Sequence, residues 1–150
     1  MNLGQKLSPG ATGININAST ITKHRLVGYG TPTSTNRQPI NGLNVVGVGA
    51  IAGALQDDVP TGEACTYFAK EGDEVVLESD GTGTIAYGQR VCAVAGGSLA
   101  ASGRIAALPG SPVAGTNYEI VGTSITPETV AAAPAGNKVR VRWCRYTYQG

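Results

Sequence analysis

The fold class of this chain is decided by residues 72–94, which read GDEVVLESDGTGTIAYGQRVCAV. Two short runs, Glu74–Glu78 and 89–94, alternate apolar and polar side chains, which is the period of a strand that buries one face. Residues 79–83 between them are rich in glycine, which supplies the positive φ that tight turns require. This stretch therefore predicts two strands joined as a hairpin.

The same combination of a glycine, polar residues and an alternating run returns elsewhere in the chain. Residues 63–70 and 117–122 have the length and the β-branched or aromatic content of strands. Residues 103–106 and 136–143 repeat the glycine-led pattern. We therefore predict an all-β protein whose body is a small β-barrel or β-sandwich.

One segment carries helix signals instead. Thr126 can cap a helix, Pro127 suits its first position, and Glu128 favours the positive end of the helix dipole. The apolar residues that follow end at Pro134. These signals predict one short helix over residues 127–133.

The first 42 residues are rich in Gly, Pro, Ser, Thr and Asn and hold few apolar side chains. Such a segment cannot bury enough apolar surface to order itself alone. We predict an extended N-terminal arm over residues 1–42 and a β-rich body over residues 43–150. The arm would contact a partner through three apolar anchors and four basic residues: Ile14, Ile16 and Leu26, with Lys6, Lys23, Arg25 and Arg37.

Composition points towards a chain that hides its surface. Charged residues make up 14% of the sequence, against about 25% in typical soluble domains. All ten acids lie within residues 57–128, whereas both ends are basic. Opposite patches of this kind steer docking between subunits, although each could equally be a solvated face.

A basic row lies near the C-terminus. Alternation over residues 138–143 places two valines and Trp143 on one face and Lys138, Arg140 and Arg142 on the other. A nucleic-acid strand would require stacking aromatics on the same face, and none is present in the row. An interface or a solvated face is the better interpretation, and we expect no nucleic-acid partner.

The residues offer little catalytic chemistry. His24, the sole histidine, has no nucleophile or base nearby in sequence, and the pair Asp57 and Asp58 reads as a solvated loop. Residues 80–84, DGTGT, lack the Lys-Ser/Thr of a phosphate-binding loop. The three cysteines form no metal-binding spacing and are typical of reduced, apolar positions. We expect no catalytic residues, metal or cofactor.

Several motifs together carry a family resemblance. Residues 72–77 (GDEVVL), 83–88 (GTIAYG), 121–124 (VGTS) and 135–141 (AGNKVRV) follow one another in the order seen in the capsid cement, or head decoration, proteins of tailed bacteriophages. The chain resembles that family over roughly residues 44–143. In such proteins a compact β domain sits on the outer capsid shell as a homo-oligomer, and an N-terminal arm often reaches across capsid subunits.

The resemblance implies a structural virion protein that stabilises the phage head by bridging subunits of the major capsid protein. It implies self-association, with a homotrimer favoured and a dimer as the alternative. We expect a protein made in the host cytoplasm and located on the outer face of the capsid, with no membrane partner. The rival interpretations are a phage tail or receptor-binding β module and a small trimeric β enzyme of nucleotide metabolism.

Overall fold

The computed structural model describes residues 6–42, 50–94 and 101–150, and all ten regular elements within them are strands. They are β1 (Ala11–Asn15), β2 (Leu26–Tyr29), β3 (Pro39–Gly42), β4 (Ile51–Leu55), β5 (Ala64–Phe68), β6 (Glu74–Glu78), β7 (Arg90–Ala93), β8 (Ile105–Ala107), β9 (Asn117–Ser124) and β10 (Lys138–Gln149). The first five close a barrel in the order β1-β3-β2-β4-β5, and the rest form a sheet in the order β6-β10-β9-β7-β8. The prediction of an all-β protein is confirmed. Of the two architectures predicted for the body, a barrel is present, but three of its five strands come from residues 1–42.

The N-terminal segment is part of the barrel, which corrects the prediction of an extended arm over residues 1–42. Strand β1 pairs parallel with β3 and antiparallel with β5, and this double pairing closes the barrel. Ahead of β1, the Ser8 amide and hydroxyl both donate to the carboxylate of Asp73 at 2.7 Å. The segment buries its apolar side chains by pairing with β4 and β5. Because these strands are distant in sequence, the polar composition of the segment did not indicate that it belongs to the fold. The predicted body boundary, residue 43, lies outside the described residues.

Both strands predicted within residues 72–94 are present, but they do not pair with each other as a hairpin. Strand β6 pairs with β10, whereas β7 pairs with β8 and β9. Twelve residues long, β10 offers one edge to β6 and the other to β9. The connection over residues 79–89 therefore crosses between strands that are not neighbours.

The predicted helix over residues 127–133 is wrong. Val130 lies opposite Ile85, and each amide donates to the other's carbonyl, at 2.8 and 3.0 Å. The Thr126 hydroxyl accepts a hydrogen bond from the amide of Arg140 at 2.8 Å, so it does not cap a helix. Burial of Val130 against the sheet outweighs the local helix signals, as tertiary context commonly does.

Two apolar clusters form the core, and β2 and β4 contribute to both. Leu26 and Ala54 pack with the sheet around Leu77 and Trp143, whereas Val27 and Leu55 fill the barrel interior. Alternation along a strand produces this division. The barrel and the sheet therefore share buried side chains.

Gly103 brings the two sheets together. Its φ of 75° lies in the left-handed region, and a Cβ at this position would collide with the backbone of Leu26. The Leu26 amide donates to the Gly103 carbonyl at 2.8 Å. Only glycine allows so close an approach, which sets β2 against the loop before β8.

Candidate partner-binding surface

A groove beside β1, β2 and β3 exposes apolar side chains of the barrel. We call it the barrel groove, and it has a volume of about 590 Å³. Its lining residues come from three strands of the N-terminal segment, the loop after β2, and β5: Gly10, Ala11, Thr12, Tyr29, Gly30, Pro32, Arg37, Gln38, Pro39, Ile40 and Tyr67. Among the described residues that line it, Arg37 is the one with a charge. A mostly apolar groove with a charged rim has the composition of an interface core.

Tyr29 and Ile16 are the exposed apolar side chains of this region, 60% and 45% exposed. Tyr29 ends β2, and Ile16 follows β1 with its amide donating to the Ile40 carbonyl at 3.1 Å. A Cβ at Gly30 would meet the Cδ1 atom of Ile16, so the glycine makes room for Ile16 beside Tyr29. The two side chains therefore extend the apolar surface of the barrel groove.

The loop of residues 30–38 is held by its own hydrogen bonds. The Thr33 amide donates to the Asn36 carbonyl at 2.8 Å, and the Asn36 amide donates to the Thr33 hydroxyl at 3.0 Å. Asn36 in turn accepts from the Gln38 amide at 3.1 Å. A loop ordered in this way costs less entropy on binding than a free one, which favours its use as a contact.

Tyr67 forms the inner wall of the groove. Burial raises the pKa of its phenol, and the neighbouring Tyr29 and Cys65 raise it further. The phenol is therefore neutral at physiological pH and can exchange hydrogen bonds with a partner while its ring packs against it. Tyrosine is enriched at interfaces because it combines these two properties.

The basic row of β10 is paired within the chain. Lys138 donates to Glu78 at 2.8 Å, and Arg140 and Arg142 lie 3.4 and 3.5 Å from Glu74. The predicted alternation is confirmed, since Val139, Val141 and Trp143 are buried on the opposite face. The sequence did not reveal that β6 would lie beside β10 and bring two glutamates to the row. This pairing reduces the charge that the row can offer to a partner.

Glu78 is the centre of a cluster of three ion pairs. Its carboxylate meets Arg25 at 2.8 Å and Arg104 at 3.4 Å in addition to Lys138, and its side chain is 13% exposed. Burial alone would raise its pKa, but the hydrogen bond from Lys138 and the charge of Arg25 outweigh burial and lower the pKa. Burial lowers the pKa of Arg25, yet a guanidinium titrates so far above neutral that it stays charged. The cluster fixes β2 to the sheet.

The predicted arm contacts are scattered by the fold. Leu26 is fully buried in the core, and Arg25 is buried against Glu78, so both serve the chain's own packing. Ile14 is half-buried in β1, whereas Ile16 and Arg37 lie at or beside the barrel groove. Two lysines are exposed elsewhere. Lys6 accepts a hydrogen bond at its carbonyl from the Glu74 amide, and Lys23 lies just before His24 in the connection to β2. Sequence reasoning missed Tyr29 and Tyr67, because no local signal marks a groove built from separate strands.

Residues 6–42, 50–94 and 101–150 contain no group of three or more His, Cys, Asp or Glu side chains placed to hold a metal ion. Within those same ranges no helix is long and apolar enough to cross a membrane. All three cysteines, Cys65, Cys92 and Cys144, are free thiols.

No protein-family model matches this chain, and neither a curated protein nor a solved structure matches it. The resemblance to capsid decoration proteins stays a hypothesis that rests on the motifs quoted above.

Proposed function

We propose that this chain is a non-enzymatic structural protein that decorates the outer surface of a phage capsid and stabilises the head by bridging major capsid protein subunits. The observation that carries the proposal is the barrel groove, where Tyr29 and Ile16 remain exposed on an otherwise well-packed barrel. Contiguous exposed apolar surface rimmed by polar residues marks sites of protein association. The motif resemblance supplies the identity of the partner.

Decoration of a shell does not require a deep binding site. Many copies bind one lattice, so modest contacts sum to a large stabilisation of the particle. A small groove with one cation at its rim fits this requirement. Self-association on the lattice, with a homotrimer favoured over a dimer, would add to the same effect.

The groove is tested by comparing two tyrosines of similar exposure. Tyr29 lies in the barrel groove, whereas Tyr87, 68% exposed, lies on the connection between β6 and β7. Purified wild type, Tyr29→Ser and Tyr87→Ser are added to capsids of the parent phage assembled without this protein. Cosedimentation and the melting temperature of the capsids are then measured.

We expect wild type and Tyr87→Ser to bind and to raise the capsid melting temperature. Tyr29→Ser should bind at least about tenfold more weakly, because a central aromatic anchor is commonly worth ~2 kcal/mol at an interface. Equal binding by the two variants would remove the groove from the interface. Failure of wild type to bind would contradict capsid decoration and would favour the alternative of a phage tail or receptor-binding module.

A further inference from the structure

A second groove lies where the barrel meets the sheet, and we call it the junction groove. It has a volume of about 660 Å³, within the range of small-ligand sites. Val76 and Phe68 give it an apolar base. Its basic lining residues come from the approach to β2 and from β10: Lys23, His24, Lys138 and Arg140.

Cations outnumber carboxylates around this groove. Glu78 is shared by Arg25, Arg104 and Lys138, and Glu74 is shared by Arg140 and Arg142. The described lining residues themselves carry three permanent cations, Lys23, Lys138 and Arg140, against the single carboxylate of Asp57. A low-dielectric wall concentrates the field of such an excess.

Lys23 adds a further charge to this side of the groove. Its amide donates to Asp58 at 2.7 Å, while its ammonium has no ion pair within the described residues. Asp57 is the one acid among the lining residues that the structure describes, and it is exposed. The groove thus keeps a cationic side chain that can reach a ligand.

Two buried polar atoms of the lining side chains lack partners. His24 Nδ1 and Arg140 Nε are shielded from solvent and form no hydrogen bond. A buried polar group left unpaired costs about 1–3 kcal/mol, so native structures seldom keep one without a reason. Of the four such atoms found in the described residues, two belong to side chains that line this groove, which indicates that its polar groups were not arranged for stability alone.

The backbone of His24 is also unusual. Its φ of 63° is the one positive value on a non-glycine residue in the described ranges. The His24 amide donates to the Leu55 carbonyl and its carbonyl accepts from the Glu78 amide, both at 2.9 Å. This double anchorage holds the residue in a sparsely populated conformation and sets its imidazole in the wall of the groove. Strain of this kind concentrates at ligand-binding sites.

The charge of His24 responds to its surroundings. Burial lowers its pKa, the charges of Lys138 and Lys23 lower it further, and the Val76 backbone and Glu78 act in the opposite direction. The imidazole is therefore neutral at pH 7. An anion placed among the cations would offset their repulsion and raise the pKa of His24.

We propose that the junction groove binds a carboxylate carried on a short apolar chain. The carboxylate would lie between the ammonium of Lys23 and the imidazole of His24, and its carbon chain would pack on Phe68 and Val76. Lys138, whose ammonium is already bonded to Glu78, would add only longer-range attraction. A glutamate side chain of a protein partner and a free small carboxylic acid share this chemistry. The inference is independent of the capsid proposal, since it rests on a different surface.

NMR of the sole histidine tests the site directly in the untagged full chain. The imidazole signals of His24 are followed while three probes are added in separate titrations: glutarate, a capped peptide with one glutamate among alanines, and inorganic phosphate. We expect a saturable shift with glutarate or the peptide at a Kd below about 10 mM. Binding should tighten as the pH falls through the lowered pKa of His24, because protonation of the imidazole adds a cation.

The probes and variants separate the outcomes. Binding of the peptide identifies a protein side chain as the source, whereas binding of glutarate alone identifies a free acid. Lys23→Gln should weaken binding about threefold, and Lys70→Gln, an exposed lysine outside the groove, should leave it unchanged. No saturable shift with either carboxylate overturns the proposal. So does phosphate binding as tightly as glutarate, since the apolar base would then contribute nothing.

Discussion

Replacing Leu26 with alanine measures how firmly the N-terminal segment belongs to the fold. Leu26 is fully buried at the point where β2 meets the sheet cluster. The substitution removes three carbons, about 0.8 kcal/mol each, or about 2.4 kcal/mol of transfer free energy. The cavity that remains adds to this, because β2 is fixed by its hydrogen bond to Gly103 and cannot collapse into the space. We expect the free energy of unfolding to fall by about 3–4 kcal/mol.

Ile16→Ala is the matched control, because it removes the same number of carbons from the same segment. Ile16 is 45% exposed, so the expected loss is about 1 kcal/mol with no cavity. Urea unfolding followed by the fluorescence of the single Trp143 gives both values. Equal losses for the two variants would mean that residues 1–42 form a detachable arm, and the barrel described above would be refuted.

Three further predictions concern single side chains. Because the folded-state pKa of Glu78 is lowered, its charge stabilises the protein above the ordinary value near 4.5, and this contribution is lost as the pH falls through the folded pKa. Glu78→Gln should lower the free energy of unfolding by about 2–4 kcal/mol at pH 7. The variant should also lose less stability than wild type as the pH falls into the acid range, and an equal loss would contradict this. His24→Gly should be more stable than His24→Ala by about 1 kcal/mol in urea unfolding, since only glycine accepts a φ of 63° freely; the reverse order would show no strain there. Burial raises the pKa of the Cys92 thiol to about 11, so iodoacetamide at pH ~8 should label Cys144 well before Cys92 by peptide mass spectrometry, and equal rates would refute it.

Alternation of apolar and polar residues predicted strands correctly and their partners incorrectly. The alternation over residues 138–143 is borne out, whereas in β6 the four residues from Glu74 to Leu77 are all buried, so that strand has no exposed face. Nothing local shows that β6 pairs with β10, because pairing depends on which distant strand is long enough to bridge two neighbours. The prediction of an extended arm over residues 1–42 was wrong for the same reason. A barrel strand with only one or two buried side chains carries almost no local signal.

Some residues of the candidate sites could be predicted from the sequence, but their partners could not. Lys138, Arg140 and Arg142 were visible as a row, but their glutamate partners come from a strand some 60 residues earlier. The barrel groove and the junction groove are each built from several separate elements. Such surfaces exist only after folding, so a sequence can supply their residues without showing that they meet.

The most direct test of capsid decoration is a cryo-electron microscopy reconstruction of parent-phage capsids assembled without this protein and then saturated with it. We predict ordered density for the β body on the outer face of the shell, with the barrel groove against the major capsid protein and Tyr29 buried in the contact. A reconstruction in which the shell carries no such density, or in which the groove faces solvent while another surface makes the contact, would contradict it.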